Sequence, residues 1–293
     1  MAKQDQPGSA TYQGLITDTS RWKDFQSRED DIFICTPPKC GTTWTQAICA
    51  MLIFGRADHG KKPNEISPWI DAQFEPLEVY LQKVEAQTHR RFIKTHSPFD
   101  GIPYFRSCTY LVVFRDPRDV YFSGLNHRDN MNNQDVANMI YLQREDPFNA
   151  WLHTSKDPNN WDIQCLDAFI HIYKSYWAVK DLGNVHLYHY SDMVNDLRSS
   201  IASMASAVSV SLSDAQLEEY VKAASFDAMK KDATRYVPSA DSGFWKSVSG
   251  FFAKGSNDQW KNELSAGQND AFLGRIAELL TDEEKHWLIR EEN

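Results

Sequence analysis

Residues 30–55 constrain the chain more than any other stretch. Asp30-Asp31-Ile32-Phe33-Ile34-Cys35-Thr36 reads as a short buried strand, halted at Pro37-Pro38 because proline has no N–H to give to a ladder. From residue 42 to 54 apolar side chains recur at helical spacing (Trp44, Ile48, Met51, Leu52), and Gly55 is a natural stop. Strand, tight loop and helix therefore meet at Lys39-Cys40-Gly41-Thr42-Thr43. The first N–H groups of a helix lack partners, and the helix dipole favours an anion there. Gly41 allows close backbone approach, Thr42 and Thr43 add hydroxyls, Lys39 adds a mobile charge and Trp44 offers a flat face to a base. This is not the Walker arrangement, in which lysine follows the second glycine and directly precedes Ser or Thr. A threonine-capped helix with an incidental lysine would leave the same residues, so the loop alone supports both readings.

Three further apolar runs, 91–95, 109–114 and 185–188, read as strands. Helical stretches separate them, clearest over 163–180, where Leu166, Phe169, Ile170, Tyr173 and Trp177 share a face. Strands alternating with helices imply an α/β fold of three layers, a central parallel sheet flanked by helices, with ligands at the carboxyl ends of the strands. No repeat or Pro/Gly/Ser linker divides the chain, so one domain over 1–293 is expected, with 1–28 as a polar lead-in. Residues 126–160, rich in Asn, Asp and Gln, read as an insertion with some helix, a lid or substrate wall; a mobile surface excursion is the plainer alternative.

The formal net charge of −9 argues against a general nucleic-acid or anionic-membrane binder. The longest purely apolar run, 47–54, is too short to span a bilayer, and the N-terminal residues carry no apolar signal segment. Five cysteines without CxxC pairing suggest a reduced, cytoplasmic protein.

Two more strand ends carry chemistry. The 109–114 strand runs into Arg115, and Ser123 follows eight residues later; a guanidinium and a hydroxyl there can grip a second phosphate, although an ion pair of Arg115 with Asp116 or Asp119 would explain the arginine too. Lys94-Thr95-His96 ends another strand, placing Lys94 and His96 on one side. Histidine suits abstraction of a hydroxyl proton, and that position singles out His96 among nine histidines.

Together, Pro38-Lys39-Cys40-Gly41-Thr42-Thr43-Trp44, Lys94-Thr95-His96 and Arg115…Ser123 resemble the signature elements of the cytosolic-type sulfotransferases. Tyr190-Ser191-Asp192-Met193, Ala224-Ser225-Phe226-Asp227-Ala228-Met229 and Phe251-Phe252-Ala253-Lys254-Gly255…Trp260-Lys261 resemble three later family segments, in the same order. Ser67-Pro68-Trp69 and residues 89–96 are closest in texture to bacterial members, including ones described as glycolipid sulfotransferases. The resemblance spans about residues 20–275 and implies a P-loop-like fold that binds the donor 3′-phosphoadenylyl sulfate (PAPS). It implies that Lys39, Cys40, Gly41, Thr42, Thr43 and Trp44 hold the 5′-phosphosulfate and stack the adenine. Arg115, Ser123, Lys254 and Gly255 would hold the 3′-phosphate, and Tyr190, Ser225, Phe226, Met229, Phe251 and Phe252 the rest of the nucleotide.

His96 is then the expected base, with Lys39 and Lys94 stabilising the transferring group. Less charge needs neutralising on a sulfuryl than on a phosphoryl group, and no ligand spacing calls for a metal. The sequence departs from the family at Cys40, often serine, at Gln259, usually an acid, and at Ala253, usually an arginine; the last loss would weaken donor binding by ~1.5–3 kcal/mol. The animal dimer segment is degenerate, leaving monomer or homodimer open. The expected acceptor is a small-molecule hydroxyl, an apolar or aromatic alcohol, phenol or glycolipid. Nine aromatics are expected near the mouth, about half of them core: Trp69, Phe74, Phe99, Tyr104, Tyr121, Phe148, Trp151, Phe244 and Trp245. The rival readings are a P-loop small-molecule kinase and a protein that binds PAPS, or its product 3′-phosphoadenosine 5′-phosphate (PAP), with weak or no transfer.

Overall fold

The computed structural model describes residues 5–6, 8–142 and 144–290. Residues 1–4 and 7 of the lead-in and residue 143 of the 126–160 insertion lie outside them.

Strand β1 (Ile32–Cys35) opens with the β-branched and aromatic residues Ile32, Phe33 and Ile34, and all four of its residues are buried. It leads through the proline-bounded loop into α1 (Thr42–Phe54), which ends at Gly55 in the left-handed conformation with its N–H on the Met51 carbonyl. Strand β2 (Phe92–Thr95) and β3 (Thr109–Phe114) follow, then α2 (Pro117–Asn130), whose N-cap Asp116 accepts from Arg118 N and whose first residue is proline. Three helices succeed it: α3 (Gln134–Ile140), α4 (Pro147–His153) and α5 (Leu166–Trp177). Strand β4 (Val185–His189) runs into α6 (Tyr190–Asn195), then α7 (Leu197–Ala207), α8 (Phe226–Lys231), α9 (Ala266–Leu279) and α10 (Asp282–Ile289).

The sheet is parallel throughout, in the order β2-β1-β3-β4. The two-residue period of the strands divides the core in two. Phe33, Cys35, Tyr110, Val112 and Phe114 face one side, against Trp22, Phe25, α5 and the C-terminal helices. Ile32, Ile34, Phe92, Leu111 and Val113 face the other, against α1 and α7. Register pairs Cys35 with Thr95 and Phe114 with His189, so the loops leaving all four strands emerge along one edge.

One segment differs from the sequence expectation. Residues 8–28 of the lead-in form a packed strap, not a polar approach: Tyr12, Trp22 and Phe25 are buried, and Gly14–Thr17 backbone bonds to Gln73 and Asp162 pin it down. Widely spaced aromatics in a polar background gave no periodic signal for this. The 126–160 segment is mostly helical, covering the end of α2 with α3 and α4, and Phe148, Trp151 and Leu152 are core residues. All five cysteines are buried and free. Among the described residues, no helix is long and apolar enough to cross a membrane.

Candidate active site

Over the carboxyl edge of the sheet lies a cavity of about 730 Å³. The loop after β1 contributes Lys39, Gly41, Thr42, Thr43 and Trp44; Lys94 and His96 come from the end of β2, Arg115 from the end of β3, Ser123 from α2 and Tyr190 from the start of α6. Phe226 and Met229 of α8 and the C-terminal residues Phe251, Phe252, Lys254 and Gly255 close the same side. Two expected residues do not line it. Cys40 is fully buried in the core, and Ser225 spends its hydroxyl on the α8 N-cap and the Lys222 carbonyl.

The loop turns through left-handed backbone at Lys39 (φ 69°) and Gly41 (φ 91°). A Cβ at Gly41 would also lie 3.1 Å from the Tyr190 ring, a tight contact that adds to the strain of a side chain at this φ. The N-terminus of α1 has no side-chain cap and opens toward the cavity. Gly255 has an equal constraint: it sits at φ 62°, and a Cβ there would meet the Phe226 ring at 2.0 Å.

Lys39 Nζ lies 2.8 Å from His127 Nδ1 and 5.0 Å from the Phe251 ring centre. Burial first, and then Arg115, pull its pKa down to about 7. His96 Nδ1 is 2.6 Å from the Thr36 carbonyl. A carbonyl only accepts, so Nδ1 carries the proton and Nε2 of the neutral ring keeps a free lone pair. Burial, followed by the charges of Lys94 and Lys39, lowers the His96 pKa to about 3. Lys94 Nζ stands 4.3 Å above the Trp69 ring, whose edge meets His96 at 4.7 Å between centres. Burial brings Lys94 to about 8 against the opposing pull of Asp71. Asp71, fully buried, accepts from Thr95 Oγ1 and Ser97 Oγ at 2.6 and 2.5 Å, which fixes the chain on both sides of His96.

Arg115 is buried, with Nη2 donating to the Ser256 carbonyl at 2.8 Å and its guanidinium 4.4 Å from the Tyr190 ring centre. The ion pair with Asp119 exists at 3.6 Å, but both side chains are buried. Asp119 also accepts from the backbone N–H groups of Asp258 and Trp260, tying the C-terminal block to α2 beside Arg115. Arg115 Nε is buried with no hydrogen-bond partner among the described residues. Lys254 reaches outward instead, to Glu263 at 3.0 Å, and the Ala253 carbonyl accepts from Lys230 Nζ at 3.3 Å.

The rest of the wall is mainly apolar, with Thr17, Glu65, Glu75, Lys83, Asp162 and Gln164 among its polar members. Ile16 comes from the N-terminal strap, and Met131, Ile140, Tyr141 and Trp151 come from the 126–160 segment. Of the nine aromatics expected near the mouth, Trp69, Phe74, Trp151, Phe244 and Trp245 line the cavity, whereas Phe99, Tyr104, Tyr121 and Phe148 do not. His127, Ile16 and Tyr141 went unnoticed in the sequence. His127 was legible in principle, since it stands one helical turn beyond Ser123. Among the described residues no group of three or more His, Cys, Asp or Glu side chains could hold a metal ion.

A sulfotransferase-domain family model matches residues 29–283. A glycolipid sulfotransferase of Mycobacterium tuberculosis is 30% identical, covering 94% of this chain and 93% of its own length. Cytosolic sulfotransferase 1 of Danio rerio is 30% identical, over 87% of this chain and 85% of its own. The crystal structure of mouse sulfotransferase SULT7A1 complexed with PAP superposes with a TM-score of 0.72 at 20% identity, covering 93% of this chain and 91% of that one.

Proposed function

The chain belongs to the sulfotransferase family, and from that premise we propose that it moves the sulfuryl group of PAPS to the hydroxyl of an apolar or aromatic acceptor, with His96 as base. One observation carries the reading: Lys39, Lys94, His96 and Arg115 leave neighbouring strand ends and gather at one corner of a cavity whose lining is otherwise mainly apolar. The residues present suit a donor with phosphates at both ends. The uncapped start of α1 and Lys39 meet one end, and Arg115, with its unpartnered buried Nε, and Ser123 meet the other.

In this reading the donor supplies an activated sulfuryl group, and positioning and electrostatics supply the catalysis. The acceptor oxygen attacks sulfur in line while its proton passes to His96 Nε2. The bond from sulfur to the bridging oxygen breaks, and Lys39 takes up charge on that oxygen as PAP leaves. Lys94 steadies the sulfuryl oxygens in flight. The apolar wall excludes water and favours acceptors such as phenols, long-chain alcohols or glycolipids. Radiolabelled PAPS offered with a panel of these, beside ATP-magnesium controls, tests the proposal. Label transferred from ATP but not from PAPS would overturn it in favour of a kinase, and PAP binding without transfer would leave a binding protein.

Proton linkage gives a second test. Lys39 is depressed to about 7 in the donor-free protein, and an anion at the loop raises it again. Above pH 7 the free protein must therefore take up a proton to bind PAP, and affinity should fall by up to about tenfold per pH unit until the bound-state pKa is passed. Below pH 7 the dependence on this group should vanish. Calorimetry in buffers of different ionisation enthalpy reads the proton uptake directly; a flat profile from pH 7 to 9 would contradict it.

Ala253 bears on the 3′-phosphate. The family-like arginine is missing, Lys254 is paired outward, and Arg115 is the buried cation left at that end. Restoring the guanidinium with Ala253→Arg should tighten PAP by about 10- to 100-fold, the worth of a charge-assisted hydrogen bond, with no such gain for 5′-AMP. Equal gains for both nucleotides would place the 3′-phosphate elsewhere.

A further inference from the structure

We propose, on the basis of the donor reading above, that His127 is a positioning residue: its neutral imidazole accepts a hydrogen bond from Lys39 and holds that ammonium at the reacting end of the cavity. His127 lies on α2 one turn beyond Ser123, so both project from one face of the helix. Its ring is boxed by Trp245 at 4.7 Å, Phe251 at 5.7 Å and Tyr141 at 6.2 Å between centres, which fixes its plane. Nδ1 stands 2.8 Å from Lys39 Nζ. In its charged form Lys39 has three N–H donors and no acceptor, so Nδ1 then presents a lone pair and the ring's proton sits on Nε2.

The surroundings hold the ring in that neutral state. Burial first, then Lys39, His96 and Lys94, keep the His127 pKa well below the usual histidine range. Lys39 itself faces Arg115 from the end of β3, Cys40 from its own loop, and His96 and Lys94 from the end of β2. None of these is a carboxylate. A carboxylate in place of His127 would hold Lys39 more strongly, but it would also neutralise the charge and repel the donor's phosphates. A neutral acceptor orients the ammonium through one N–H and leaves two for the leaving oxygen.

The test compares His127→Phe, which keeps the aromatic volume and removes the acceptor, with His127→Gln, whose amide oxygen can accept. With PAPS and a hydroxyl acceptor that the unaltered protein turns over, His127→Phe should lose about 10- to 100-fold in kcat, while PAP affinity and acceptor KM stay within about threefold. The alkaline limb of its kcat profile should move to lower pH, because a buried ammonium without an acceptor sheds its proton sooner. His127→Gln should return to within about fivefold of the unaltered kcat and restore the limb. An unchanged kcat and limb in His127→Phe would overturn the proposal, as would equal losses in both variants. A second reading needs no donor: the Lys39 side-chain resonance, followed by NMR in the donor-free protein, should titrate at lower pH in His127→Phe than in the unaltered protein. Identical titration overturns the role of His127 outright. Absence of PAP binding and PAPS turnover in the unaltered protein, with the Lys39 titration still displaced, would instead sink the donor reading.

Discussion

Replacing His96 with alanine should lower sulfuryl transfer by about 10²- to 10⁴-fold, the usual worth of a positioned general base, while PAP binding stays within about threefold. The split follows from where the ring is held. Its Nδ1 is committed to the Thr36 carbonyl, so Nε2 is the nitrogen able to take a proton. Its backbone is clamped between Thr95 and Ser97, both bonded to Asp71, and that clamp does not depend on the imidazole. In the donor-free protein burial and the charges of Lys94 and Lys39 keep His96 at about 3, so it is already a free base across the neutral range. A base that weak is poorly matched to a hydroxyl, but an anion bound against Lys39 and Lys94 offsets both charges and raises its affinity for the proton. Two measurements follow: single-turnover transfer from radiolabelled PAPS, and the rise in melting temperature caused by PAP. Near-normal turnover in His96→Ala, with the PAP shift intact, would remove His96 from the reaction. Loss of both would mean that the imidazole holds the loop together and not the proton.

The strands and α1 were legible because their signals are local. Ile32, Ile34 and Val113 form short β-branched runs bounded by proline, aspartate or arginine, and a parallel sheet needs little more to be recognised. The loop residues were legible because a left-handed turn beside a helix start restricts the residue types that can stand there. The apolar wall was legible only in part, through Trp69, Phe74, Trp151, Phe244 and Trp245. Ile16 and Thr17 reach the cavity from a strap held by Asp162, about 145 residues away in sequence, and no periodicity records such a contact. Tyr12, Trp22 and Phe25 show the same limit, each a core residue in a stretch whose composition reads as polar. Cys40 and Ser225 show the opposite limit: motif position points them to the nucleotide, while one side chain turns into the core and the other caps α8, which leaves their backbone for such a contact. His127 needed both levels, helical spacing to place it beside Ser123 and a tertiary contact to bring it to Lys39.

Lys39→Met should cost about 10²- to 10³-fold in kcat, comparable to removing one donor from a site where charge develops, and should weaken PAP by about 10- to 100-fold. Methionine keeps an unbranched stem of similar length and removes the ammonium, together with its contacts to His127 and the Phe251 ring. The protein's own stability should move in the opposite direction. Lys39 has a folded pKa of about 7 against 10.5 in its ordinary state, so the folded form binds the proton less readily than the unfolded chain does. A depressed pKa of this kind gives full stability only above the unfolded value, and that stability is lost as pH falls from there through the folded value near 7. At pH 6 the donor-free protein therefore carries a buried ammonium at a cost, offset in part by His127. Lys39→Met removes that cost and should melt at an equal or higher temperature, most clearly below pH 7, and its PAP affinity should fall less steeply between pH 7 and 9, with only the share of Lys94 at about 8 remaining. A variant that is more stable yet nearly inactive would mark Lys39 as a charge kept in an unfavourable place for the sake of the leaving oxygen. Lower stability together with unchanged transfer would place the lysine in the packing of the loop and leave the chemistry to its neighbours.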